Sequence, residues 1–348
     1  MGFSFYIADP VRDRDIILKL WKANIQVDDF DKRYEWLYSE NPAGPMRTVL
    51  AVHEKTEEVV GAGSLYPQKA LLFGKPIIIG TAADYMVDKR YRVFGPALQI
   101  QRKLLESASD FGFDCLLGYP NQAAKGVIKR IGYKPLGFAH RYVKPLKTHE
   151  LLASRIKPAV LSVVLARVLD ILLLCEDSLK SFFSKFKYQS LLTDAVKNIE
   201  IDVNGTKFFS SKVTFDKAQE KLVWRYQQNK FSFFSISAKP DSHADAFIVY
   251  QVNDNVVSII DIISLDEKFL EPLLKLFISA MYKAHNTRIS IQFLGDRTLI
   301  NLLKKLRFYI RESDRSCYLF FNQHLFEPFE GKILDDSNWF IFESDMDI

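Results

Sequence analysis

The sequence predicts a mixed α/β fold, a mixed α+β sheet with helices on its faces, present as two tandem units of which the second is degenerate. Three observations carry this. Over positions 3–143, strand-like apolar runs and helix-period segments follow the order strand, helix, helix, three strands, helix, strand, helix, strand. The C-terminal part of the chain weakly repeats that order. A length of 348 residues, at about 150 residues per domain, holds two such units.

The elements follow in turn. Positions 3–7 read as a short strand. Ile16, Ile17, Leu20 and Trp21 give a helical spacing over 13–22, and a second helix over 31–39 is ended by Asn41-Pro42-Ala43-Gly44-Pro45. Three strands over 48–53, 59–73 and 77–87 come next, the last two joined by a hairpin turn at Phe73-Gly74-Lys75-Pro76. A charged loop leads into a helix over 95–111. A short strand over 114–118, a helix over 121–131 stopped by Gly132, and an extended segment over 133–143 complete the unit. In the second half Trp224-Arg225-Tyr226 stands where Trp36-Leu37-Tyr38 stands in the first, and Asn253-Asp254-Asn255 marks the corresponding hairpin. Helices over 267–285 and 297–306 flank a strand over 288–295, and Arg307-Phe308-Tyr309 mirrors the stretch 128–133. The expected organisation is one unit over 1–147, an amphipathic helical linker over 148–198 and a second unit over 199–348.

Composition narrows the function. Apolar residues at 48% and charged residues at 26% describe a globular chain. The net charge of +5 suits an anionic ligand or membrane surface and is too weak to indicate nucleic acid by itself. Cys115, Cys175 and Cys317 are odd in number and scattered, so a disulfide framework and a zinc site are not expected, and a reducing, cytoplasmic setting is. The six histidines form no metal-binding spacing, so no metal is expected. The first ten residues lack the marks of a secretory signal.

The stretch 151–187 stands apart. It is dense in Val, Leu and Ile, but Arg167 and Asp170 interrupt it, so a spanning helix is not expected. The plain reading is a linker packed on the two units. The alternative is peripheral contact with the inner face of a membrane, because Lys144, Lys147, Arg155 and Lys157 precede the run and Lys180, Lys185 and Lys187 follow it.

The most informative segment is Val87-Asp88-Lys89-Arg90-Tyr91-Arg92-Val93-Phe94-Gly95-Pro96-Ala97. A strand ends, a basic loop turns, and small residues open a helix. The first turn of a helix offers unpaired N–H groups and partial positive charge, and small residues let a pyrophosphate approach them. Arg92-x-x-Gly95-x-Ala97 resembles the [Q/R]-x-x-G-x-[G/A] signature of the GNAT acyltransferase superfamily. The long helix after it, then Leu116-Leu117-Gly118-Tyr119-Pro120-Asn121 and Ile131-Gly132-Tyr133, extend the resemblance over positions 3–143. The resemblance implies that acetyl-CoA or another acyl-CoA lies in a gap between the strands that carry Ala82 to Val87 and Cys115 to Gly118. Backbone amides of Val93, Phe94, Gly95, Pro96 and Ala97, with Arg92, would surround the pyrophosphate. Pro96 has no N–H to give and shapes the first turn. Backbone groups of Met86 and Val87 would pair with pantetheine, and Asn121 would lie near the thiol end.

The same resemblance implies N-acyl transfer to an amine by direct attack on the thioester. The acceptor expected is a small molecule, with an amino sugar preferred, and no nucleic acid. An attacking amine must lose a proton, because near pKa ~10 it is mostly ammonium at neutral pH. Asp84, on the strand leading into the loop, is the expected base. Where many members carry a tyrosine acid this chain has Ile128, so Tyr119 and Tyr133 are the nearby substitutes, with Tyr119 taken as the acid. Cys115 reads as core. His53 reads as a strand end exposed to solvent.

The second unit has Ser264-Leu265-Asp266-Glu267-Lys268-Phe269 in place of the loop, with no glycine and with acids that would repel a phosphate. It is expected to complete the acceptor site or to stabilise the first. The acidic, aromatic tail from Trp339 to Asp347 resembles endings of tandem acyltransferase-like proteins of bacterial polysaccharide clusters, and Asp345 or Asp347 could face an amine. Two alternatives stand beside the transferase: a non-catalytic module that binds acyl-CoA or a membrane-linked partner, and a Fem-type aminoacyltransferase. The oligomeric state is not legible.

Overall fold

Both hairpins form where the turn residues place them. Phe73 and Gly74 have φ of 49° and 85°, and Asp254 and Asn255 have 50° and 60°. Two successive positive φ values match the right-handed twist of the flanking strands. The computed structural model describes residues 2–92, 95–153, 157, 159–194, 211–227, 231–239, 243–311, 315–321 and 327–346.

In the first unit β1 (Phe3–Ile7), α1 (Arg14–Asn24) and α2 (Phe30–Tyr38) precede β2 (Arg47–His53), β3 (Val59–Leu72) and β4 (Lys75–Val87). Then come α3 (Pro96–Glu106), β5 (Cys115–Gly118), α4 (Gln122–Arg130), β6 (Lys134–Phe138) and β7 (His140–Pro145). The short α5 (His149–Ala153) and the long α6 (Ala159–Lys187) lead to β8 (Gln189–Thr193) and β9 (Val213–Phe215). The second unit continues with α7 (Gln219–Tyr226), β10 (Ser232–Ser237), β11 (Ala246–Asn253), β12 (Val256–Ser264), α8 (Leu270–Lys283), β13 (Arg288–Gly295) and α9 (Arg297–Lys305). Its last strands are β14 (Tyr309–Arg311), β15 (Ser316–Phe321) and β16 (Trp339–Phe342), with a single helical turn over Glu343–Met346 after them. Most of these elements lie within a few residues of their expected ranges. β8, inside the stretch expected as linker, pairs with β10 as β1 pairs with β2. β9, β15 and β16 had no counterpart in the sequence reading.

The described strands join into one 16-stranded mixed sheet. Each unit has a parallel pair at its centre, and β9 and β16 form a further parallel pair between them. Ile79–Thr81 of β4 lie beside Cys115–Leu117 of β5, and Val256–Ile259 of β12 lie beside Arg288–Ile291 of β13. The last strands are exchanged. β7 runs between β13 and β14 of the second unit, while β15 runs between β5 and β6 of the first. The exchange is a packing event as well as a hydrogen-bonding one. Tyr142 of β7 is buried among Ile289, Ile291 and Phe293 in the second unit's core, and Cys317 and Leu319 of β15 are buried with Cys115 and Leu117 in the first.

The repeat is also visible at the helix ends. Trp36 and Trp224 stack with ring centroids 4.7 Å apart. Each donates its indole N–H to the other's backbone carbonyl, at 3.0 and 2.9 Å. Reciprocal bonding of this kind is what a two-fold relation between two elements produces locally. β9 and β16 close the junction, bridging β3 to β13. The fully buried Trp339 donates its indole N–H to the Ile333 carbonyl at 2.8 Å.

Candidate functional site

The site follows from how β4 ends. β5 accompanies β4 only through Thr81, and beyond it, among the described residues, Ala82–Val87 are paired on one side alone, with β3. β15 lies on the far side of β5 and does not enter this gap. The register of β3 and β4 slips here, so that Asp84 and Tyr85 stand opposite Gly63 alone. Asp84 has φ 47°, a left-handed conformation that an aspartate tolerates better than most residues. The bulge re-aims two side chains. Asp84 turns toward α2, where its Oδ1 accepts a hydrogen bond from Arg33 Nη2 at 2.7 Å, both side chains being largely buried. The Arg33 guanidinium lies over the Trp21 ring, 5.1 Å from its centroid. Tyr85 turns to the opposite face, against the cluster that holds Ile100 and Leu104 of α3, and burial raises its pKa. Met86 is buried beneath α1 and α2.

The loop after β4 is shaped by its own charges. Asp88 takes the Arg90 guanidinium at 2.9 Å, with Glu58 3.6 Å away, so Arg90 is neutralised locally. Arg92 turns back and donates its Nε–H to the Val87 carbonyl at 2.9 Å. This corrects one expectation: the carbonyl of Val87 is already engaged, so only its amide is left to a ligand. Val93 and Phe94 lie outside the described residues. Gly95 caps α3 with φ 90°, and among the described residues a Cβ placed on it would meet no atom within 4 Å, so the glycine serves the turn. Pro96 takes the first helical position as expected. Gln99 N–H reaches the Gly95 carbonyl at 3.4 Å, while the amides of Ala97 and Leu98 have no acceptor among the described residues.

Other expected residues lie elsewhere. Asn121 caps α4, its side chain accepting the Ala124 N–H at 3.0 Å. Tyr119 packs against the cluster of Cys115, Leu117 and Leu319, on the side of β5 that faces the inserted strand. Ile128 fills the space beside Gly118, where a Cβ would stand 3.0 Å from its Cδ1. Tyr133 is buried in the same layer, with burial raising its pKa. Burial likewise pushes the Cys115 thiol up, so it is no nucleophile. His53 is buried rather than exposed, bonded to Thr56 Oγ1 at 2.9 Å between the rings of Phe3 and Tyr91. Asp345 meets Lys217 at 2.9 Å and the Phe342 amide at 3.1 Å in a buried cluster with Asp261, so the amine-facing role expected for it is overturned; Asp347 lies outside the described residues.

The sequence reading missed Arg33, which positions Asp84, and a buried polar chain at the junction. Lys221 Nζ donates to Gln68 Oε1 at 3.1 Å, and Gln68 Nε2 donates to Thr81 Oγ1 at 2.9 Å. Thr81 is the last residue of β4 beside β5. A signal was available, because Lys221 stands three residues before Trp224 as Arg33 stands three before Trp36. In the second unit Asp266 caps a single turn over Glu267–Phe269, accepting the Lys268 N–H at 2.9 Å, and Phe269 is buried at the place that corresponds to Gly95. Among the described residues no group of His, Cys, Asp and Glu side chains could hold a metal ion.

No family model and no curated protein sequence matches the chain. Solved structures do. An Enterococcus faecalis V583 protein of unknown function, described as a probable N-acyltransferase, superposes with a TM-score of 0.63 at 10% identity, covering 94% of this chain and 74% of that one. A GCN5-related N-acetyltransferase from Kribbella flavida gives 0.61 at 13% identity over 92% and 72% of the two chains. Another from Anabaena variabilis gives 0.60 at 13% over 91% and 72%. The protein has a GNAT-like fold.

Proposed function

We propose that the first unit transfers an acyl group, acetyl in the simplest case, from acyl-CoA to the nitrogen of a small amine. The observation that carries this reading is the edge of β4 over Ala82–Val87, which no described strand pairs on the side of β5, followed by the left-handed Gly95 that caps α3. A thioester's pantetheine arm can continue the sheet along Ala82–Val87, and its pyrophosphate can take the amides of Ala97 and Leu98, with Arg92 at the rim. An amide at the β4 edge then stabilises the thioester oxygen as charge develops on it. Direct attack needs no protein nucleophile, only two substrates held together. Asp84, held by Arg33 beside this edge, is assigned the acceptor side, where a carboxylate attracts the ammonium form and takes its proton directly or through water. The leaving thiolate is assigned no side-chain donor. An amino sugar is the acceptor class to try first, on the resemblance of the tail to polysaccharide-cluster proteins.

Titration calorimetry tests the reading. Acetyl-CoA and CoA should bind, and tRNA should not. Gly95→Ala and Gly95→Glu both strain the left-handed backbone, by about 1 kcal/mol, but only the second puts a carboxylate before the phosphates. Gly95→Glu should weaken CoA at least tenfold more than Gly95→Ala, and equal losses would remove the pyrophosphate assignment. Tight tRNA binding would favour a Fem-type activity. CoA binding without thiol release on a panel of amino sugars and polyamines would favour the non-catalytic module.

Asp84→Asn keeps an oxygen for Arg33 and removes the proton acceptor. The expected result is a kcat lowered by ~100-fold, in the range typical of a lost general base, with KM for acyl-CoA unchanged. A kcat within threefold of the parent would return Asp84 to a structural role.

A further inference from the structure

Helix α6 faces the wrong way for a helix that lies against water. Its 29 residues extend about 43 Å at 1.5 Å per residue. The side turned to the protein is small and polar: Ser162, Ala166, Asp177 and Ser181 are buried. Polar bonds fix this side. Asp177 pairs with the buried Lys144 at 2.8 Å and accepts from the Tyr282 hydroxyl at 3.1 Å. Asp170 accepts from the Thr148 amide and hydroxyl at 2.7 and 2.8 Å. The opposite side is apolar and bare. Leu172, Leu179, Phe183 and Phe186 are 59%, 74%, 81% and 79% exposed, and Val164 and Val168 are half exposed. An ordinary surface helix buries its apolar stripe and hydrates its polar one; here the two are inverted.

The rims of the stripe are basic. At 100° per residue Arg167 and Lys185 fall along one edge and Lys180 and Lys187 along the other. The rim acid Glu176 is already taken by Lys180 at 2.5 Å and Arg307 at 2.7 Å. β8, which follows, adds Leu191 and Leu192, each 53% exposed. An apolar band with cations on both edges is complementary to anionic headgroups over acyl chains. A second copy fits poorly, because self-docking brings the same basic rims together. Among the described residues no helix is long and apolar enough to cross a membrane.

We infer that α6 is an in-plane anchor that lays Val164, Leu172, Leu179, Phe183 and Phe186 into the surface of an anionic bilayer while its polar side stays docked on the protein. The inference is independent of acyl transfer. It places the protein at a lipid surface whatever the acceptor is.

Vesicle co-sedimentation of the full chain tests it, with phosphatidylcholine alone and with about 30 mol% phosphatidylglycerol. Binding to the anionic vesicles is expected, with at least a tenfold loss on raising salt from about 0.1 to 0.5 M. Leu179→Gln with Phe183→Gln and Phe186→Gln should weaken binding at least tenfold without lowering the melting temperature, since all three side chains point outward. Lys180→Gln with Lys185→Gln and Lys187→Gln should weaken it on anionic vesicles specifically. No binding of the parent chain, or binding that the apolar triple variant leaves unchanged, overturns the inference. A parent dimer in light scattering that the same variant dissociates, with no vesicle binding, assigns the stripe to a second copy instead.

Discussion

Residues 1–147 produced alone should give no cooperatively folded monomer. The first unit lacks a strand of its own between β5 and β6, because that place is filled by β15 from the far end of the chain. Four β15 side chains, Cys317, Tyr318, Leu319 and Phe321, are buried in the first unit's clusters. At about 1.5–3 kcal/mol for each large apolar side chain, the missing strand removes roughly 5–10 kcal/mol. That is comparable with the whole stability of an ordinary domain, about 5–15 kcal/mol. The truncated chain would also present the bare edge of β5, four buried residues long, and the orphaned β7. These are the two halves of a strand exchange, so the soluble form expected is a swapped dimer in which β7 of each copy fills the gap of the other. Circular dichroism melting with light scattering checks this. A folded monomer with a sharp transition would show that the exchange is dispensable.

The sequence announced the local structure well, for identifiable reasons. Turn residues at 73–76 and 253–255 are governed by φ alone, and Asn121 caps its helix with a side chain next to the amide it bonds. What stayed hidden was choice of partner. The alternation of β7 or β15 would suit its own sheet as well as the other one, so nothing local reveals that they cross over. The Arg33–Asp84 pair spans 51 positions and depends on a bulge that no residue type marks. Asp345 sits in an acidic tail that reads as solvated, and only the folded chain brings Lys217 to it. At the candidate site the glycine and proline of the α3 entrance were legible because their roles are backbone roles. The surroundings of Tyr119 were not legible, because Cys317 and Leu319 of the cluster it packs against arrive on an exchanged strand.

The second large effect belongs to Lys221. This side chain is buried between the units, over the rings of Tyr66 and Trp224, and donates to Gln68. Burial lowers its pKa from 10.5 to about 7. In the unfolded chain the amine keeps its ordinary value, so between about pH 7 and 10.5 the unfolded state binds the extra proton. Stability from this group therefore rises with pH across that window, by up to about 1.4 kcal/mol per unit, and is flat below it. Below about pH 7 the burden of holding the charge inside is felt in full, about 5 kcal/mol. Lys221→Met removes it, and leaves Gln68 Oε1 without this donor at a cost of about 1–3 kcal/mol. The variant should accordingly be more stable than the parent by roughly 2–4 kcal/mol near pH 6.5. The advantage should shrink above pH 7 and reverse before pH 10, because the parent's lysine is by then neutral while the variant still lacks the hydrogen bond. Urea unfolding of both proteins at pH 6.5, 8 and 9.5 measures the difference directly. A difference that does not change with pH would mean that Lys221 keeps the same charge folded and unfolded throughout.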